Sequence, residues 1–312
     1  MEPKIITVTL NPAIDKIMTA EDFTAGRLNR VKALQTDPGG KGINVSKALV
    51  SYGVEQVALG ILAGKNGKNL LNMLKAYPFK KDFVMAPGET RVNMKIRDLK
   101  TGLITEVNET GTTVRNEDME LFFRKLKKYL PKSEIAILAG SMPYEITDCF
   151  YTAAIQLCAA QKNRVIFDAD GLALKMGVQS KPYAIKPNLA ELERLTGKEL
   201  DTYDKIRIEI EHLVKTGIQI VLVSMGERGA VFHGNGTTWY VSPLQVDVKS
   251  AIGAGDAMVA ALSWCMLNEI SPKDTARITV AAGCLTAAEE GSKVAQWKDI
   301  QQVYEKVALR EL

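Results

Sequence analysis

The sequence predicts an α/β fold with a mainly parallel central sheet, helices on both of its faces, and a small separate β-sheet acting as a lid. Three observations predict it. Near-continuous apolar runs such as Ile135–Ala139 and Ile218–Val223 alternate with helical patterns, as parallel strands covered on both faces require. Two runs, Arg91–Arg97 and Leu103–Val107, alternate polar and apolar residues instead, which suits a sheet with one wet face. No Pro/Gly/Ser-rich linker, internal repeat or low-complexity segment interrupts the 312 residues, so 1–312 reads as one domain.

The elements follow in order. Lys4–Leu10 (KIITVTL) is the first strand. A helix is expected over Ile43–Tyr52, a strand over Gln56–Leu62 and a helix over Lys68–Ala76. Arg91–Arg97 and Leu103–Val107 pair as a hairpin around Thr101-Gly102. Asn116–Tyr129 is an amphipathic helix whose basic run, Arg124–Lys128, belongs on a solvated face. Ile135–Ala139 is a strand, 147–161 a helix, and Arg164–Phe167 and Tyr183–Ile185 are strands. Helices Leu189–Leu195 and Tyr203–Lys215 precede the strand Ile218–Val223. Gly229–His233 and Thr238–Val241 flank Gly234-Asn235-Gly236, a hairpin signal. Ala254–Leu267, Pro272–Glu289 and Trp297–Ala308 close the chain as helices.

Composition excludes several functions. The 40 Lys and Arg against 36 Asp and Glu leave +4, too mild for a nucleic-acid partner. No run of 18 apolar residues offers a membrane span. None of the four cysteines forms a C-x-x-C pair, which excludes a zinc ribbon or a thioredoxin-type site. Scarce cysteine and an N-terminus unlike a signal peptide lead us to expect a cytoplasmic protein. Two histidines, His212 and His233, cannot supply a three-His metal site, and both sit in structural or surface contexts. Chemistry is therefore expected from carboxylates, Lys/Arg and backbone amides.

Three glycine clusters could hold phosphate. Gly39-Gly40-Lys41-Gly42 precedes a helix, where backbone amides and the helix field favour an anion, and Lys41 adds a full charge. It fails the Walker A spacing. Ser250–Met258 (SAIGAGDAM) opens another helix. It lacks the dinucleotide fingerprint, because Met258 stands where the third glycine belongs. The amides of Ala254, Gly255 and Asp256 could bind a transferring phosphoryl group while Asp256 accepts a proton. A helix start lowers a carboxylate pKa, so Asp256 is expected to be a weak but well-placed base. The third cluster, Ser224-Met225-Gly226-Glu227-Arg228-Gly229, ends the most apolar strand, where ligands of open α/β sheets sit. Asn188 and Glu191 share a helix face. They read either as Mg²⁺ positioning through water or as a capping box.

Together these segments resemble the ribokinase-like (PfkB) carbohydrate kinases. The resemblance rests on Asn11–Asp15 after the first strand, Gly39–Val45, the Asn188–Glu191 N-x-x-E motif and Gly253-Ala254-Gly255-Asp256. Val8–Asp15, Gly88–Asn93 and Ala139–Pro143 are most similar to the subgroup of 1-phosphofructokinases and tagatose-6-phosphate kinases. The resemblance implies a ribokinase-like three-layer αβα sandwich and a lid from about 12–35 and 88–110. It implies that Asp15, Gly39, Gly40, Lys41 and Asn44 hold the sugar. Arg91, Lys41 and Ser141, joined by Arg27, would hold its phosphate. Lys186, Asn188, Ser224, Gly226, Gly229 and Gly255 would hold ATP, with Glu191 organising Mg²⁺. Asp256 would be the catalytic base, and Gly253, Ala254 and Gly255 the anion hole. Transfer to the 6-hydroxyl of fructose 1-phosphate is the expected reaction, with tagatose 6-phosphate as the alternative substrate. A homodimer packed through the lids is the expected assembly. Intact Asp256, Glu191 and Lys41 argue against a catalytically silent sugar-phosphate sensor.

Overall fold

The computed structural model describes residues 2–143 and 149–312. In chain order the elements begin with β1 (Ile5–Thr9), β2 (Ala13–Ala20), β3 (Val31–Gly39), α1 (Lys41–Ser51), β4 (Gln56–Ala63) and α2 (Gly64–Met73). Then come β5 (Lys80–Lys81), β6 (Val84–Ala86), β7 (Arg91–Asp98), β8 (Ile104–Asn108), α3 (Asn116–Tyr129), β9 (Ile135–Ala139) and α4 (Cys149–Ala160). The middle of the chain forms β10 (Arg164–Asp168), α5 (Gly171–Gln179), β11 (Ala184–Ile185), α6 (Leu189–Thr196) and α7 (Tyr203–Lys215). Last are β12 (Ile220–Ser224), β13 (Ala230–Gly234), β14 (Thr237–Val241), α8 (Ala254–Leu267), α9 (Pro272–Ala287), α10 (Trp297–Val303) and β15 (Leu309–Glu311).

Eleven strands build the main sheet, ordered β15-β14-β13-β12-β11-β10-β9-β1-β4-β5, with β6 also on β4. It is parallel from β5 to β12 and antiparallel from β12 to β15. Side chains alternate between its two faces. Ile6, Val8 and Leu138 pack with Phe122 of α3, Tyr151 of α4 and Ile210 of α7. Ile5, Ile137 and Ile166 pack on the other face with Leu49 of α1, Val259 of α8 and Ala281 of α9. This is the expected αβα sandwich. Helix α8 is buried on most sides, which its small apolar residues allow. No helix among the described residues is long and apolar enough to cross a membrane.

The second sheet has four strands, ordered β3-β2-β7-β8. Its pairing of β2 with β7 is parallel and sets Asp15 opposite Asn93. The sheet runs to Gly39, past the expected limit at 35. Other departures have local causes. Helix α2 starts at Gly64 rather than Lys68, because its first amides are capped from far along the chain. Lys65 N–H and Asn66 N–H donate to the Glu89 carboxylate at 3.0 and 2.8 Å. The Trp297–Ala308 helix ends at Val303, and β15 then closes the sheet edge. Helix α5 and strands β5, β6 and β15 had no signal strong enough to be expected.

Candidate active site

Both sheets contribute to one cavity of about 460 Å³. It is lined by Asp15, Gly40, Lys41, Asn44, Arg91, Ser141, Gly253 and Asp256, all expected in the site. Asn11, Asn93, Lys95 and Asp170 line it too, without having been given a role from sequence.

One part of the lining arises from strand register. Asp15 on β2 is buried, and Asn93 and Lys95 stand two residues apart on the same face of β7. Asn93 Nδ2 donates to Asp15 Oδ1 at 3.0 Å, and Lys95 Nζ to Oδ2 at 3.2 Å. The polar face of β7, expected to be wet, is therefore partly buried and turned to the cavity at Asn93 and Lys95. The period-two alternation did mark these residues; only the partner across the register was hidden. Gly39 packs directly behind Asp15, where an added Cβ would lie 2.5 Å from Oδ2.

Arg91 is held in place by its own donors. Its Nε donates to Asn11 O and one terminal nitrogen to Glu109 O, both at 3.1 Å. The other terminal nitrogen reaches Ser141 Oγ at 3.5 Å. Burial lowers the Arg91 pKa, though Asp15, Asp170 and Glu109 oppose that. Arg27 sits elsewhere, on the exposed connection from β2 to β3, and does not line the cavity. It is removed from the set of phosphate contacts within this chain.

Charge concentrates at the cavity floor. Asp168, at the end of β10, is almost fully buried. It meets Lys41 Nζ at 2.9 Å and lies 3.5 Å from Lys186 Nζ. Burial would raise the Asp168 pKa, but Lys186 and Lys41 together hold it below the usual range. Burial opposes the charge of Lys41, yet Asp168, Glu191 and Asp256 outweigh it and keep the ammonium protonated.

Asp256 is the third residue of α8, whose start turns on Gly253 in the left-handed region at φ 78°. Its Oδ2 accepts from Asn44 Nδ2 at 2.8 Å. Burial and the neighbouring Asp168 raise its pKa, and the nearby Lys41, Asn44 and Lys186 do not cancel them. The expectation of a lowered pKa is corrected: burial and Asp168 outweigh the groups that lower it. A carboxylate so raised is a better proton acceptor. Ala254 N–H turns back to Ala251 O at 3.3 Å, which leaves Gly255 and Asp256 as the amides opening the helix.

The expected nucleotide residues lie outside this cavity, along the ends of β11 and β12. Asn188 and Ser224 bridge the two segments. Lys186 connects them to the cavity, its Nζ 3.3 Å from where a Cβ on Gly255 would stand. Gly226 and Gly229 take positive φ in the turn between β12 and β13, and β14 packs against Gly229 too closely for a side chain. Asn188 and Glu191 do form a capping box: Asn188 N–H donates to Glu191 Oε2 at 2.7 Å, and Glu191 N–H to Asn188 Oδ1 at 2.8 Å. The second carboxylate oxygen of Glu191 faces Lys41 at 4.0 Å. No cluster of three metal-ligating side chains exists among the described residues. A cation that keeps its waters and takes phosphate oxygens needs only one or two carboxylates, so Glu191 fits that role. His233 bonds Thr238 at 2.8 Å and His212 faces Glu209 at 3.4 Å, both away from the cavity.

The chain is similar over nearly its whole length to known proteins. The 1-phosphofructokinase of Bacillus subtilis (strain 168) is 34% identical over 286 residues, covering 92% of this chain and 93% of that protein. That of Escherichia coli (strain K12) is 31% identical over 290 residues, covering 93% and 92%. The crystal structure of phosphofructokinase-2 from Escherichia coli in complex with fructose-6-phosphate matches with a TM-score of 0.90 at 26% identity. The match covers 98% of this chain and 99% of that one. The pfkB family carbohydrate kinase pattern spans residues 8–299. Family pattern, relatives and fold agree over nearly the whole length, and the chain belongs to the pfkB family of carbohydrate kinases.

Proposed function

We propose that the protein is a 1-phosphofructokinase, transferring the γ-phosphoryl group of ATP to the 6-hydroxyl of fructose 1-phosphate. The observation that carries this is Asp256. It is a buried carboxylate of raised pKa at a helix start, facing a cavity that also holds Lys41, Arg91 and Lys95. The sugar hydroxyl forms a bond to the γ-phosphorus as the bond from phosphorus to ADP oxygen breaks. The hydroxyl proton passes to Asp256. The amides of Gly255 and Asp256, with Gly253 and Ala254 shaping the turn, stabilise charge on the transferred group. Arg91, Ser141 and Lys41 receive the phosphate already on the sugar through charge-assisted hydrogen bonds. Asp15 accepts sugar hydroxyls, its direction fixed by Asn93 and Lys95. ATP lies along Lys186, Asn188, Ser224, Gly226 and Gly229. Mg²⁺, when bound near Glu191, supplies charge neutralisation to the phosphates.

The small sheet serves as the lid that excludes water. Its β8 strand is exposed throughout, and Val31, Leu34, Ile104 and Val107 are exposed apolar residues on it. Such a patch suits pairing with a second copy of the chain. We place the enzyme in the cytoplasm, where the scarcity of cysteine in the chain suits a reducing compartment.

Comparing kcat/KM for fructose 1-phosphate, tagatose 6-phosphate and fructose 6-phosphate tests the substrate. The highest value is expected for fructose 1-phosphate. A higher value for either 6-phosphate would reassign the sugar.

A further inference from the structure

The mechanism above gives no task to the buried Lys47. Lys47 on α1 is 5% exposed, and no carboxylate lies within 4.0 Å of its ammonium among the described ion pairs. Its Nζ donates instead to Pro38 O and to Asn44 Oδ1, each at 3.3 Å. Asn44 in turn donates from Nδ2 to Asp256 Oδ2 at 2.8 Å. Pro38 belongs to β3, one residue before the glycine that packs behind Asp15.

Burial lowers the Lys47 pKa, while Asp37, Asp15 and Asp256 support its charged form and Lys95 opposes it; as an ammonium, Lys47 has donors only. It can face the oxygen of the Asn44 amide but not its nitrogen. The nitrogen is then left for Asp256, where it supports the carboxylate as proton acceptor. With the amide reversed, its oxygen would face Asp256, and only a protonated Asp256 could bond to it. We propose that Lys47 is a positioning residue that fixes the orientation of the Asn44 amide toward Asp256. Its bond to Pro38 also ties that pair to the strand carrying the sugar contacts. This role rests on the reading of Asp256 as the base. It uses a residue that touches neither sugar nor nucleotide in that reading.

Other charged groups acting on Asp256 are Asp168 at the end of β10, Lys41 on α1 and Lys186 after β11. Asp168 raises the Asp256 pKa, and the two lysines lower it. None of them bonds to the Asn44 amide, so none substitutes for Lys47 in orienting it.

The test compares Lys47→Met and Lys47→Arg with wild type, each first shown by thermal melting to be folded. Lys47→Met is expected to lower kcat about tenfold or more, within the range general-base catalysis contributes. It should move the acid limb of kcat against pH upward and leave KM for ATP near wild type. Lys47→Arg, also a pure donor, should recover most of the loss. If Lys47→Met fails to fold, Lys47→Gln takes its place with the same direction expected. A folded variant with wild-type kcat overturns the inference. So does a lost kcat whose acid limb stays where it was, since that is mere structural damage. Asp256→Asn separates the two layers. If it is inactive while Lys47→Met behaves as wild type, only the inference fails; if it turns over normally, the base assignment falls and the inference with it.

Discussion

A carboxylate in the first turn of a helix ordinarily gains from the unpaired amides there. Asp256 has that position, yet burial and the neighbouring Asp168 raise its pKa against Lys41, Asn44 and Lys186. The sign has a consequence for stability. A folded-state pKa above the unfolded one means the ionised group opposes folding once pH rises through the folded value. Asp256→Asn should therefore melt higher than wild type at pH 8, with the gain shrinking near pH 4. Equal or lower melting at pH 8 would contradict the raised pKa. Asp168 has the opposite sign. Its lowered pKa gives stability above the unfolded carboxylate value, and that stability is lost as pH falls through the folded one. Asp168→Asn leaves Lys186 buried without its counter-charge and should cost about 3 kcal/mol or more in denaturant titration. A loss under about 1 kcal/mol would mean the triad of Lys41, Asp168 and Lys186 is not tightly coupled.

Between elements, the β2–β7 register does the assembling. It brings Asp15 together with Asn93 and Lys95, which lie 78 and 80 residues further along the chain. The close approach of β3 to β2 needs a bare backbone at Gly39, so Gly39→Ala should displace Asp15. KM for the sugar phosphate is expected to rise about tenfold, roughly 1.4 kcal/mol of binding, with folding retained. An unchanged KM would show that Asp15 yields without loss. The same scale explains what the sequence could tell. Apolar runs and hairpin turns were legible because period and turn chemistry are local. Asn235 and Gly236 take the positive φ their hairpin turn requires. The start of α2 was not legible, because its cap comes from Glu89 across the chain. Lys95 was visible only as one polar position in an alternating strand, and its meaning depends on Asp15 beyond the register. The sequence could not place Arg27 either, which the strands carry onto an exposed connection that does not line the cavity of its own chain.

At the scale of the whole molecule, the main sheet brings the helix start with Asp256 to the cavity, and the small sheet brings Asp15, Asn93 and Lys95. Neither sheet alone encloses the cavity. The exposed apolar residues of the small sheet give this layout a further outcome. Changing Leu34 and Ile104 together to Glu should convert a dimer to a monomer in light scattering. An unchanged mass would place the interface elsewhere. Both histidines lie away from the cavity, so the proposed reaction draws on carboxylates, lysines, an arginine and backbone amides. The central claim is that Asp256 accepts the proton as the phosphoryl group moves. The most direct measurement is the rate at which wild type and Asp256→Asn form fructose 1,6-bisphosphate from fructose 1-phosphate and ATP. The account predicts a fall in kcat of about 10² or more. A variant within about threefold of wild type would contradict it.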